Sequence, residues 1–242
     1  MAHIILTGAT GTAGAGILSH ALLSPLISHI HILSRRSVKL AESESKATVI
    51  LHADFEIYPH EVLSQLKGAT ACIWAQGISS RGMSEEEYTK ITVDRPLTAA
   101  RAFAGLGEKF NFIYISGEGV EMDKGGGLLY SRVKGKAERQ LLDLQKELPS
   151  LRVYNLRPGG IIPEGKFLAE RKPTLTDRGI NALGWVFEKG YKSMVISTEN
   201  LGIACVGLAA GNGEPLPDGK GVEEGGRLVR NVALRALAEK GA

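Results

Sequence analysis

The stretch Ile4-Ile5-Leu6-Thr7-Gly8-Ala9-Thr10-Gly11-Thr12-Ala13-Gly14 decides the fold. A short apolar run enters a Gly-x-x-Gly-x-x-Gly turn, and apolar residues then recur at Ile17, Leu18, Ala21 and Leu22 with helical spacing. A strand that turns in this way into a helix presents unpaired backbone N–H groups and the positive end of a helix dipole to one small volume. Glycines allow the tight turn and a close approach of backbone to phosphate. The pattern predicts a cradle for a dinucleotide pyrophosphate at Gly8, Thr10, Gly11, Thr12, Ala13 and Gly14; a plain glycine-rich turn is the alternative.

The 242 residues suit one α/β domain over 1–242, large enough to bury a continuous core without disulfides or metals. Cys72 lies in a strand pattern and Cys205 in a helical one, as reduced core residues of an intracellular protein would. Neither has metal-ligand spacing. His29 and His31 alternate along a strand, which marks a strand face rather than a ligand pair, so no metal site is expected. The formal charge of +3 is spread along the chain and gives a nucleic-acid partner little support. With no secretory segment ahead of Ile4 and no apolar run approaching the ~20 residues of a membrane span, a soluble cytoplasmic protein is expected.

Apolar runs at Ile30-Leu33, Val49-His52, Ala71-Trp74, Phe112-Ile115, Val153-Leu156 and Met194-Ile196 alternate with helical patterns. That alternation predicts a doubly wound parallel sheet of the Rossmann type, with ligands at the carboxyl ends of the strands. The second strand, His29-Ser34, ends in Arg35-Arg36, where a reader of a ribose 2′-hydroxyl would carry Asp or Glu. Two planar guanidinium forks suit a 2′-phosphate, hence NADP(H); a solvated basic turn is the other reading. Asp54 and Phe55 close the third strand, Asp54 facing an adenine amino group or capping the loop. Ala75, Gln76 and Gly77 close the fourth, small enough there to admit the cofactor ribose; a simple turn glycine is an equal reading. The Gly/Pro-rich stretch Gly211-Gly226 is the strong candidate for a mobile loop.

Ser116 closes the strand Phe112-Ile115, and Tyr130-Ser131-Arg132-Val133-Lys134 follows. Tyrosine and lysine four apart on a helix share a face, so an ammonium can sit beneath the phenol and lower its pKa for acid/base work. With the glycine turn, these residues resemble the short-chain dehydrogenase/reductase superfamily. More narrowly, Val93-Asp94-Arg95, Phe110-Asn111, Ser116 with Gly119, and Leu129-Tyr130-x-x-Val133-Lys134-Gly135-x-x-Glu138 are similar to the Tat-interacting oxidoreductase-like branch of its atypical members. Asp54-Phe55-Glu56 and Arg157-Pro158-Gly159 extend the likeness over about the first 160 residues.

The resemblance implies hydride transfer to or from a carbonyl. It implies Tyr130 as acid/base, Lys134 as holder of the nicotinamide ribose and tuner of Tyr130, and Ser116 as hydrogen-bond partner of the substrate oxygen. Pro158, Gly159 and Ile161 would line the nicotinamide end. Many active members complete a proton relay with an Asn after the fourth strand, yet no Asn lies between Gly77 and Phe110. Asp94, ahead of Pro96, reads as a helix N-cap.

Residues 163–192 are expected to form a substrate wall or lid, with Thr176 or Asp177 capping a helix whose Ile180, Leu183 and Phe187 share one face with Trp185 nearby; packing of that face onto the body of the fold is the reading favoured over a lid on an apolar substrate. The tail Arg227-Ala238 reads as an amphipathic closing helix or an oligomer surface. These features point to an NADPH-dependent reductase of a small carbonyl compound. The alternative is an NADPH-binding redox sensor with a protein partner and little turnover. A nucleotide-sugar epimerase is disfavoured because the chain is short for a large substrate lobe.

Overall fold

A computed structural model of the chain describes residues 1–122, 127–163 and 194–241. Its strands are β1 (Ala2–Thr7), β2 (Ile27–Ser34), β3 (Ala47–Leu51), β4 (Ala71–Trp74), β5 (Phe110–Ile115), β6 (Leu151–Arg157), β7 (Gly160–Ile162), β8 (Val195–Ser197), β9 (Val222–Glu223) and β10 (Leu228–Arg230). The α-helices are α1 (Thr12–Leu23), α2 (His60–Gln65), α3 (Glu85–Thr89), α4 (Arg95–Ala104), α5 (Leu129–Glu147), α6 (Thr198–Ala210) and α7 (Asn231–Gly241). The main sheet runs β3-β2-β1-β4-β5-β6-β10-β9, parallel except for the β9-β10 edge pair. The doubly wound α/β sheet expected from the alternation is therefore the fold.

Alternation along the strands divides the core between two faces. Ile4 and Leu6 of β1 pack with Ile17 and Leu18 of α1 and with Leu201 and Cys205 of α6. Ile5 joins Cys72, Trp74, Phe103 of α4 and Leu141 of α5 on the other face. Both faces are covered, which is why the central strands are apolar throughout. Helices α1 and α6 meet at small residues: a Cβ on Gly16 would lie 2.5 Å from Thr198 Cβ, and one on Gly202 would lie 2.8 Å from His20 Cβ.

The helical run Glu85–Ala104 is nearly continuous, with a π-turn at Lys90–Asp94 between α3 and α4. Ser84 caps its start with a capping box to Glu87. Pro96 has no N–H for the carbonyl four residues earlier. That carbonyl, on Thr92, accepts the Tyr114 hydroxyl at 3.1 Å. Asp94 lies inside this run with helical dihedrals and makes no side-chain cap, contrary to the cap expected of it.

Several other expectations are corrected. The third strand ends at Leu51, so Asp54 and Phe55 stand in the loop beyond it. Val195–Ser197 pairs with Gly160–Ile162 in a separate two-stranded sheet and does not join the main sheet. The place beside β6 is taken by Leu228–Arg230, read from sequence as part of a helix; three residues were too few to break the helical pattern that continues into α7. The stretch Gly211-Gly226 is pinned, with the Tyr154 hydroxyl donating to Glu214 O at 2.5 Å and Arg230 N to Gly221 O at 2.7 Å. His29 and His31 share a face of β2, and the register sets His3 of β1 opposite His29. Apart from Pro163, the expected wall or lid at 163–192 lies outside the described residues.

The α1–α6 contact makes a paired prediction. Gly16→Ala must force the helices apart and should lose about 1–3 kcal/mol of stability in urea unfolding. Gly207→Ala, exposed on α6 with no atom within 4 Å of the new Cβ, should gain about 0.5–1 kcal/mol.

Candidate active site

The glycine turn is built by backbone contacts. Gly8 has φ +71° and lies against the carbonyl of Ala75, where a Cβ would collide. Gly14 lies equally close to the Gly8 carbonyl, and Gly11 N donates to that carbonyl at 2.9 Å. Helix α1 starts after Gly11 with no side-chain cap, so its first N–H groups face the space over the turn. Thr10, Thr12 and Ala13 are half-buried around it.

At the same carboxyl edge of the sheet, Thr7 Oγ1, Gln76 Oε1 and Ser116 Oγ are buried without hydrogen-bond partners. Unpaired buried polar atoms are costly, and their gathering at one edge fits a polar ligand there. Arg35 and Arg36 are exposed at the end of β2, and neither has an ion-pair partner among the described residues. Asp54 Oδ1 accepts Glu56 N at 2.9 Å, which makes it a loop cap. Phe55 puts its ring in the core, edge-on to Trp74 at 5.9 Å. Ala75 and Gln76 are half-buried next to Gly8, and Gly77 is exposed.

The loop after β5 is tied to α5 at two points. Ser131 Oγ donates to Gly119 O at 2.8 Å and accepts Glu121 N at 3.1 Å, and Gly135 leaves room for the Glu121 carbonyl. This brings Ser116 and Gly117 to the face of α5 that carries Tyr130 and Lys134. The Tyr130 hydroxyl abuts Gly117, where a side chain would displace it. Lys134 Nζ donates to Ser116 O at 2.9 Å and Ile115 O at 3.2 Å, and lies 5.5 Å from the Tyr130 ring centre.

Burial acts against both charged forms. Tyr130 is pushed up to about 12, first by desolvation and then by Tyr88 and Glu138. Lys134 is pulled down to about 8 by desolvation, with Glu138 opposing. The ammonium is enclosed although the residue as a whole is only partly buried. The lowering of Tyr130 expected from the Tyr-Lys spacing is thus absent here; the ammonium points at carbonyls instead.

A cavity of about 870 Å³ opens beside Tyr130, lined by Glu118, Pro158, Gly159, Met194 and Arg230 among others. Ile161 is half-buried against the core on β7. Residues unremarked in the sequence organise this side. Asn231 is fully buried; its Oδ1 accepts Gly159 N at 2.8 Å, its Nδ2 donates to Val195 O at 3.0 Å, and its N donates to Glu118 Oε1 at 3.0 Å. Arg230 Nη2 donates to Glu118 Oε2 at 2.7 Å. Burial pushes the Glu118 carboxyl up, but Arg230 and the Asn231 amide outweigh it and hold it below the usual range. No local motif marked Asn231 or Arg230, because their partners are remote in the chain.

No family model matches the chain. Over 222 residues it is 30% identical to "Protein fmp52, mitochondrial" of Emericella nidulans, covering 88% of this chain and 91% of that protein. The chain belongs to the Fmp52 family. "Leucinostatins biosynthesis cluster protein T" of Purpureocillium lilacinum is 42% identical over 159 residues, 66% of this chain; the chain spans 58% of that relative. Among solved structures, a short-chain dehydrogenase/reductase from Saccharomyces cerevisiae matches with TM-score 0.65 at 14% identity, covering 100% of both chains. The Bordetella bronchiseptica enzyme WbmF in complex with NAD+ matches with TM-score 0.66 at 14% identity, covering 99% of this chain and 77% of that one. This Fmp52-family chain thus has the fold of the short-chain dehydrogenases/reductases. Among its described residues, no helix is long and apolar enough to cross a membrane.

The depressed lysine carries a test. Unfolded, Lys134 titrates near ~10.4, whereas folded it titrates at about 8. Between those values the unfolded chain binds more protons, so this group makes stability rise with pH. Subtracting the stability curve of Lys134→Met from that of the wild type should leave a rise from about pH 8; a flat difference would contradict the depressed lysine.

Proposed function

We propose that the chain is an NADP(H)-dependent reductase of the short-chain dehydrogenase/reductase type, acting on a small carbonyl compound. The observation that carries this reading is that Tyr130, at the wall of a cavity large enough for such a substrate, has its hydroxyl against Gly117 and Lys134 behind it, the Lys134 ammonium held on the Ser116 carbonyl. The cofactor would be held by Gly8, Thr10, Gly11, Thr12, Ala13 and Gly14 at the pyrophosphate and by Arg35 and Arg36 at the 2′-phosphate. Asp54, the backbone of Phe55, Ala75, Gln76 and Gly77 would lie along its adenosine and ribose, the Phe55 ring being committed to the core, and Pro158, Gly159 and Ile161 near its nicotinamide. When bound, NADPH supplies the hydride for the carbonyl carbon.

The protein's own part is to bind and move a proton. Ser116 Oγ, buried without a partner, donates to the substrate carbonyl oxygen. Tyr130, held protonated by its surroundings, gives its phenolic proton to the same oxygen as it becomes an alkoxide. Lys134 then stabilises the phenolate, its ammonium being fixed next to the ring. With the C=O reduced and the O–H formed, Tyr130 recovers its proton from solvent.

The second reading is an NADPH-binding sensor for a protein partner, favoured by the upward shift of Tyr130 and by the likeness to Tat-interacting oxidoreductase-like proteins. The mitochondrial Fmp52 relative of Emericella nidulans favours mitochondria over the cytosol as the compartment.

Calorimetry should give NADPH an affinity about tenfold to a hundredfold above NADH, a preference lost in Arg35→Ala/Arg36→Ala, because charge-assisted bonds contribute about 1.5–3 kcal/mol each. Equal affinities in the wild type would overturn the 2′-phosphate assignment. In a screen of aldehydes, ketones and quinones, Tyr130→Phe should lose turnover by at least about a hundredfold with NADPH affinity nearly unchanged. NADPH binding without oxidation across the screen would favour the sensor.

A further inference from the structure

The sheet has a second cluster of chemistry, toward the amino ends of its strands and away from the glycine turn. His3 of β1 is opposite His29 in the parallel register, and His31 follows two residues on along the same face of β2. Ring centres are 5.1 Å apart for His3 and His29, 4.4 Å for His3 and His31, and 4.8 Å for His29 and His31. One nitrogen from each ring can be chosen so that all three lie within 4.8 Å of one another. His3 Nε2 and His31 Nδ1 are buried with no hydrogen-bond partner. His29 is half-exposed, and its Nε2 lies 3.0 Å from Thr48 Oγ1 of β3, leaving Nδ1 as its free nitrogen.

We propose that His3, His29 and His31 form a binding site for a late first-row divalent cation, Zn2+ foremost, which clamps β1 to β2. Three imidazoles without a carboxylate select borderline-soft cations over Mg2+ or Ca2+. A tetrahedral Zn2+ with Zn–N of about 2.0–2.1 Å needs nitrogens roughly 3.3 Å apart, within reach of small rotations of the three rings. The half-exposed side of His29 admits water as the fourth ligand. Thr48 then serves as the hydrogen-bonding support that fixes the His29 ring, a partner that metal-bound histidines characteristically have. Isolated in sequence, His29 and His31 look like a strand face; the parallel pairing with β1 supplies the third ligand.

The test uses the full chain without added histidines, stripped by chelator, with Zn2+ and Co2+ as probes. Calorimetry should show one Zn2+ per chain, and Co2+ should give the strong visible bands of a tetrahedral nitrogen site. Zn2+ should raise the melting temperature in a concentration-dependent way. His29→Ala, at a half-exposed position, should abolish stoichiometric binding, Thr48→Val should weaken it by about tenfold to a hundredfold, and the exposed His60→Ala should leave it unchanged. Unaltered NADPH affinity and circular dichroism in His29→Ala would show that the fold is intact. Weak Zn2+ binding by the wild type, or stoichiometric binding retained by both His29→Ala and His3→Gln, would overturn the site.

Discussion

Backbone lies directly on backbone where α1 meets the sheet, and the rest of the molecule is arranged around that contact. Gly14 abuts the Gly8 carbonyl, and Gly8 abuts Ala75 at the end of β4. No residue with a Cβ fits either place, so the helix start, the turn and the mouth of the fourth strand form one unit. The back of α1 is fixed by the same means, through Gly16 of α1 against Thr198 of α6 and Gly202 of α6 against His20 of α1. A helix held this closely on two sides keeps its unpaired N–H groups aimed at one point, which is what anion binding requires.

The opposite wall depends on polar contacts instead. Arg157 at the end of β6 forms a two-bond fork with the fully buried Glu138 of α5, at 3.0 and 2.6 Å. Such a pair adds little net stability over apolar packing, but loss of one partner strands a charge at a cost of about 3–5 kcal/mol. Its position also bears on the site: Glu138 lies one helical turn beyond Lys134 and offsets part of the desolvation that depresses that ammonium. Asn231 does the corresponding task for the backbone, joining Gly159, Val195 and Glu118 across three segments.

Legibility in the sequence followed the range of the interactions. The glycine turn, the strands through β6 and the Tyr130–Lys134 pairing depend on neighbours within a few residues, and periodicity exposes them. Asn111 shows the limit: it stands in the Phe110-Asn111 motif, yet the carbonyls its side chain donates to, those of Leu208, Ala209 and Gly211 at the end of α6, lie about a hundred residues away. Strand β10 was hidden for a different reason. Its three residues continue the apolar spacing of α7, and only pairing with β6 distinguishes them from a helix start. No sequence spacing links His3 to His29; sheet register alone sets the two side by side.

The electrostatics of the Tyr130–Lys134 pair follow from these same contacts. An ammonium has three donors, and Lys134 spends two of them on the carbonyls of Ile115 and Ser116. The remaining donor has no hydrogen-bond partner among the described residues, while the phenol nearby stays protonated to about 12. A ribose hydroxyl placed against that donor would hold the ammonium in the site and strengthen its effect on the phenol, since a fixed charge acts more strongly in a desolvated space. The tuning inferred from Tyr-x-x-x-Lys spacing is therefore incomplete in the protein alone: α5 supplies the position of the two groups, and the alignment would have to come from a ligand such as the proposed cofactor.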